Sequence, residues 1–99
     1  MRVLVAATDL FFRSKLNAVI SGAGAEVVKQ DSESDLAVVA AEAPGAVDRI
    51  RGLVARGTPV LAFAPHARVD LLRSARDAGA VAVPNSEVER QLLALLTSR

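Results

Sequence analysis

Short, wholly apolar runs alternate along this 99-residue chain with longer stretches in which apolar residues recur at helical spacing. No other feature constrains the fold as tightly. Continuous apolar runs with β-branched content read as strands buried on both faces, and the amphipathic stretches between them read as covering helices. Val3 to Ala7, Ala25 to Lys29, Leu36 to Val39, Pro59 to Ala64 and Ala80 to Val83 are the expected strands. Phe12, Leu16, Val19 and Ile20 mark the first helix, and Val47, Ile50, Leu53 and Val54 the second. Val69, Leu72 and Ala75 mark the third, and Val88, Leu92, Leu95 and Leu96 the last. The order β-α-β-β-α-β-α-β-α predicts one domain over residues 1–99, built on a parallel sheet covered on both sides.

Local signals punctuate this pattern. Thr8 or Asp9 can cap the first helix, because a side-chain oxygen there accepts from the free N–H groups of the first turn. Gly22 or Gly24, Gly57 and Gly79 stand at helix ends, and Pro44-Gly45 opens a turn. Ser86 and Glu89 fit a capping box for the last helix.

One connection breaks the regularity. Only six residues, Gln30 to Asp35, separate Lys29 from Leu36. A parallel crossover usually takes about a dozen or more, and six extended residues reach only ~20 Å. The helix expected here is missing or reduced to one turn. Either an extended strap crosses the sheet or the second strand pairs antiparallel, and the regularity of the remaining pattern favours the strap.

Composition narrows the function. Tyr and Trp are absent, only Phe11, Phe12 and Phe63 carry rings, and the net charge is +1 with scattered basic residues. This argues against nucleic-acid binding, which calls for stacking platforms or a basic stripe. There is no cysteine, hence no disulfide and no thiolate metal site or nucleophile. The longest apolar runs fall far short of the ~20 residues of a membrane helix. VLVAA after Met-Arg is too short for a secretory signal, so a cytoplasmic protein is expected. No glycine-rich nucleotide-binding fingerprint is present.

Four segments resemble the receiver domain of bacterial two-component response regulators: RVLVAATDLFFRSKLNAVI, DLAVVAAEAPG, TPVLAFAPHA and AGAVAVPNS. The resemblance implies a flavodoxin-like α/β/α sandwich, with a five-stranded parallel sheet in the order 2-1-3-4-5 and the second helix missing or reduced. Receivers hold Mg²⁺ on an acidic pair after the first strand and on a phosphoacceptor aspartate. A hydroxyl residue and a lysine then bind the phosphoryl oxygens. The matching positions here are Ala7 and Thr8 for the pair, Ala40 for the acceptor, Ala64 for the hydroxyl, and Asn85 or Ser86 for the lysine. Asp9 lies one step late, and Glu42 two residues past Ala40. The resemblance therefore implies a fold kept and a phosphotransfer chemistry lost: a degenerate receiver with no metal, no cofactor and no enzymatic activity.

Two functions remain open. The first is a protein-interaction module in bacterial signalling, acting as a homodimer. Phe11 is its candidate exposed anchor, since adjacent Phe11 and Phe12 cannot both face the core. Leu71, Arg73, Arg76 and Arg90, with Asp77, Glu87 and Gln91, lie on the face through which receivers pair, and a sheet thinned near Val28 and Leu36 adds weight to self-association. The second is a small-ligand or anion sensor at the carboxyl edge of the strands, where Thr8, Asp9, Glu42, His66, Asn85 and Ser86 are expected to converge. His66 is the one histidine, with no Ser or Cys nucleophile placed beside it. Simple helix capping accounts for Asp9 and Ser86 without any ligand.

Overall fold

The structure is a computed structural model and describes residues 1–97. The strands are β1 (Arg2–Ala6), β2 (Glu26–Val28), β3 (Leu36–Ala40), β4 (Val60–Ala64) and β5 (Val81–Pro84). The helices are α1 (Leu10–Gly22), α2 (Ala46–Ala55), α3 (Val69–Asp77) and α4 (Val88–Thr97). All five strands are parallel, in the order β2-β1-β3-β4-β5. This is the receiver-like, flavodoxin-like topology.

The period-2 alternation of strand side chains sorts the core into two faces. Val3, Leu36, Val38, Leu61, Phe63 and Val83 point to one side, where Leu16 and Ile20 of α1 and Val88 and Leu92 of α4 cover them. Leu4, Ala37, Val39, Ala62, Ala64 and Ala82 point to the other, under Ile50 and Leu53 of α2 and Leu72 and Ala75 of α3. The second face is alanine-rich, so α2 and α3 lie close over the sheet. The turn after α3 also packs tightly on α2: a Cβ at Gly79 would meet Val54 Cγ1 at 2.9 Å. On the first face the Phe12 ring sits 5.2 Å from that of Phe63.

Between β2 and β3 the chain takes the strap. β2 pairs parallel to β1, with Leu4 opposite Val28, and the connection holds a single 3-10 turn at Asp31–Glu33. Three contacts fix it. Ser34 is buried and its Oγ donates to the Asp31 carbonyl at 2.7 Å. The Arg49 guanidinium of α2 grips the Asp31 carboxylate. The Asp35 N–H donates to the Arg2 carbonyl, and the Asp35 carboxylate accepts from the Arg2 N–H at 2.8 Å.

Several local expectations need correction. The capping box at Ser86 and Glu89 does not form. Pro84 is extended and leads into a 3-10 turn at Asn85–Glu87 that has no side-chain cap, so α4 starts only at Val88. Glu89 instead faces Lys15 of α1, at 3.7 Å. Val69 and Leu95 are exposed rather than part of the core stripes. Leu36 is 3% exposed, because α1 and not the absent helix covers its side of the sheet. The thinned sheet therefore does not leave Leu36 bare, and Val28 is half-buried.

Candidate functional site

Parallel strands bring their carboxyl ends, and the loops after them, to one edge of the sheet. The register places Ala6 beside Val39, Ala40 beside Phe63 and Ala64 beside Pro84 along that edge. Thr8 and Asp9 follow β1, Glu42 follows β3, His66 follows β4, and Asn85 and Ser86 follow β5. All six belong to this edge, but among them only Asp9 has a side-chain hydrogen bond. Asp9 caps α1: its Oδ1 accepts from the N–H groups of Phe11 at 2.8 Å and Phe12 at 3.3 Å. Its carboxylate is thus committed to the first turn of α1. Thr8, Glu42, His66 and Ser86 are exposed. His66 makes no side-chain hydrogen bond or ion pair among the described residues. Asn85 is half-buried, and its Oδ1 has no hydrogen-bond partner. Arg68, at the start of α3, is bonded to Asp70 at 3.0 Å, which holds the Asp70 carboxyl below its usual range.

The Mg²⁺ site of a receiver requires carboxylate oxygens converging at this edge. Here Ala7 and Thr8 follow β1, Ala40 ends β3 and Ala64 ends β4. Methyl groups cannot ligate magnesium, and a single threonine hydroxyl without a carboxylate at the matching positions does not make this set fit that ion. Among the described residues no group of three or more His, Asp and Glu is placed to hold any metal.

The candidate interface residues divide. Phe11 is 65% exposed and Leu10, which the sequence did not single out, is 73% exposed. The Lys15 ammonium rests 4.6 Å over the Phe11 ring, a cation–π contact. Arg73 is exposed, whereas Leu71 packs at the margin of the core. Arg76 turns back into the fold, and its Nη2 donates to the Ala82 carbonyl of β5 at 3.0 Å. Arg90 pairs along its own helix with Glu87 at 2.9 Å.

A groove of about 540 Å³ opens beside the strap, between β1, β2 and the start of α2. Of the residues expected to hold a ligand, it includes Thr8 alone. Leu4, Val28, Val39 and Ala46 line it together with Arg13, Asn17, Lys29 and Arg49. Sequence reasoning missed these four polar residues because they come from separate elements. The one signal available was the spacing of Arg13 and Asn17, four apart and so on one face of α1.

No family model matches the chain, and no curated protein matches it. Solved structures do. The receiver domain protein (CheY-like) from Methanospirillum hungatei JF-1 superposes with a TM-score of 0.77 at 17% identity, covering 98% of this chain and 90% of that one. The receiver domain of NtrX from Brucella abortus gives 0.78 at 15% identity, over 94% and 92% of the two chains. A BeF3-activated DrrB receiver domain gives 0.77 at 16% identity, over 99% and 97%. The chain therefore has the fold of response regulator receiver domains. Among the described residues no helix is long and apolar enough to cross a membrane.

Proposed function

We propose that this chain is a pseudo-receiver: a receiver-fold module that works by protein interaction, without phosphorylation and without enzymatic activity. The observation that carries this reading is the alanine lining of the strand ends. Ala40 stands where the resemblance calls for a phosphoacceptor and Ala64 where it calls for a hydroxyl, while the nearby Asp9 carboxylate is bound to the backbone of α1. A fold does not fix a function, so the chemistry of these positions bears the argument. Incubation with acetyl phosphate and Mg²⁺, read by intact mass, is expected to leave the chain unchanged while a receiver of ordinary sequence gains a phosphoryl group. A phosphoryl adduct on Glu42 or any other carboxylate overturns the reading.

The module is further read as a homodimer in the bacterial cytoplasm, with Leu10 and Phe11 as the apolar anchors of its contact and Arg73 on the α3 surface. Adjacent exposed apolar side chains of this size mark interfaces. Light scattering across a dilution series is expected to give twice the chain mass, falling to the monomer with Phe11→Ser. A monomer at every concentration removes the homodimer from the reading and leaves a different protein as the partner. The alternative, a ligand sensor at the strand edge around His66, has less support, because the edge residues are exposed and do not close around a shared cavity.

A further inference from the structure

We propose that the groove beside the strap is a binding site for a small amphipathic anion, a carboxylate or phosphate monoester carried on a compact apolar body. This site is distinct from the edge around His66 and does not rest on the interaction reading. Its volume, about 540 Å³, falls within the ~300–1,000 Å³ usual for small-molecule sites. It also lies where such sites form in open α/β sheets. β1 is flanked by β2 and β3, so the strand order reverses there, and both Thr8 after β1 and Ala43-Pro44 after β3 line the groove.

The lining is divided in the way an amphipathic ligand requires. Val28 and Ala43, both half-buried, supply the accessible apolar wall, over a floor of buried Leu4, Val39 and Ala46. Arg13, Lys29 and Arg49 supply three cations, and no Asp or Glu lines the groove. Arg49 is already balanced by Asp31 at 2.6 Å, so it serves as a fixed wall. Arg13 and Lys29 take part in no ion pair among the described residues, and both are exposed on the rim. Like charges gathered around a low-dielectric cleft focus a field that attracts an anion. Asn17, one turn along α1 from Arg13, is the one uncharged carboxamide of the lining.

The same geometry selects a small molecule over a protein segment. Leu4 and Val39, on the groove floor, are each only 1% exposed.

The test is an NMR titration of isotope-labelled protein with octanoate and with hexyl phosphate, using neutral octanol as the control. Saturable binding is expected to shift the amides of Thr8, Val28, Lys29 and Ala43. Octanol is expected to bind at least about tenfold more weakly, and added salt to weaken both anions. Arg13→Gln and Lys29→Gln are each expected to weaken anion binding by about tenfold. Both side chains are exposed, so circular dichroism and the melting temperature are expected to stay near those of the parent. Absence of saturable binding by either anion overturns the proposal. So does equal binding of octanol, or a set of shifts centred on His66 and Ser86. An acidic peptide that moves these amides when neither anion does so overturns it too, in favour of a docking surface.

Discussion

Arg49 on α2 grips Asp31 on the strap through a forked contact, with Nη2 to Oδ1 at 2.6 Å and Nε 3.2 Å from both carboxylate oxygens. It ties a helix of one sheet face to the segment that stands where another helix would cover the sheet. Both side chains are partly exposed, 40% and 36%, so solvent screens the pair and its worth is modest. A double-mutant cycle of Arg49→Ala and Asp31→Ala is expected to give a coupling of about 0.5–1 kcal/mol. The local effect should exceed the global one. Amide exchange at Glu33 and Ser34 is expected to accelerate while the centre of β3 stays protected. Uniform acceleration through β3 would contradict the clasp's local role.

Two glycines are expected to respond to alanine with opposite signs. Gly79 has φ 105° and a Cβ there would meet Val54 at 2.9 Å. Gly79→Ala should destabilise by about 1–3 kcal/mol through backbone strain and overpacking. Gly52 lies inside α2 with nothing near its missing Cβ. Gly52→Ala should stabilise by about 0.5–1 kcal/mol, because alanine restricts the unfolded chain and favours helix. Denaturant melts of both variants check the pair, and the same sign for both would defeat the argument.

Asp9 is the side-chain cap of α1. Asp9→Ala leaves the Phe11 and Phe12 N–H groups without their acceptor and is expected to cost about 1 kcal/mol. Asp9→Ser should recover most of it, since a serine oxygen can accept the same bonds. A thermal melt in which Ser does no better than Ala would assign the loss to charge rather than to capping.

Asp35 sets part of the acid limb of stability. Hydrogen bonding from the Arg2 N–H, with the Arg2 charge, holds its carboxyl below the usual aspartate value. A carboxyl lowered in the folded state stabilises above its unfolded pKa and loses that contribution as pH falls through the folded one. The stability gap between the parent and Asp35→Asn is therefore expected to be fully open above about pH 4 and to narrow below it. A gap that widens on acidification would reverse the assignment. Asp70, lowered by its bond to Arg68, is expected to follow the same sign.

Much of the architecture could be read from residue order. Apolar runs such as Leu36 to Val39 and the helical spacing of Leu16 with Ile20 or Ile50 with Leu53 carry their own period, and period decides element type. The strap was legible too, because six residues admit few routes. Local chemistry misled where backbone geometry intervened. Ser86 and Glu89 have capping-box spacing, but Pro84 feeds a 3-10 turn that delays α4 to Val88. Val69 keeps helical spacing with Leu72 yet stands in the first turn of α3 and is 55% exposed. The groove was not legible. Arg13, Lys29 and Arg49 are far apart in sequence and meet only once β2 pairs with β1 and α2 settles beside the strap.

The strap also bears on how the molecule comes apart. Loop-closure entropy rises only slowly with length, so exchanging a helix-bearing crossover for six residues changes that cost little. What changes is slack. A crossover helix can fray or melt while the strands it joins stay paired, giving an edge strand a private route to opening. Here β2 reaches β3 through a taut segment pinned at Asp31, Ser34 and Asp35. The edge strand and the entry to β3 are thereby joined through a short segment held at three points, with no helix between them to melt on its own.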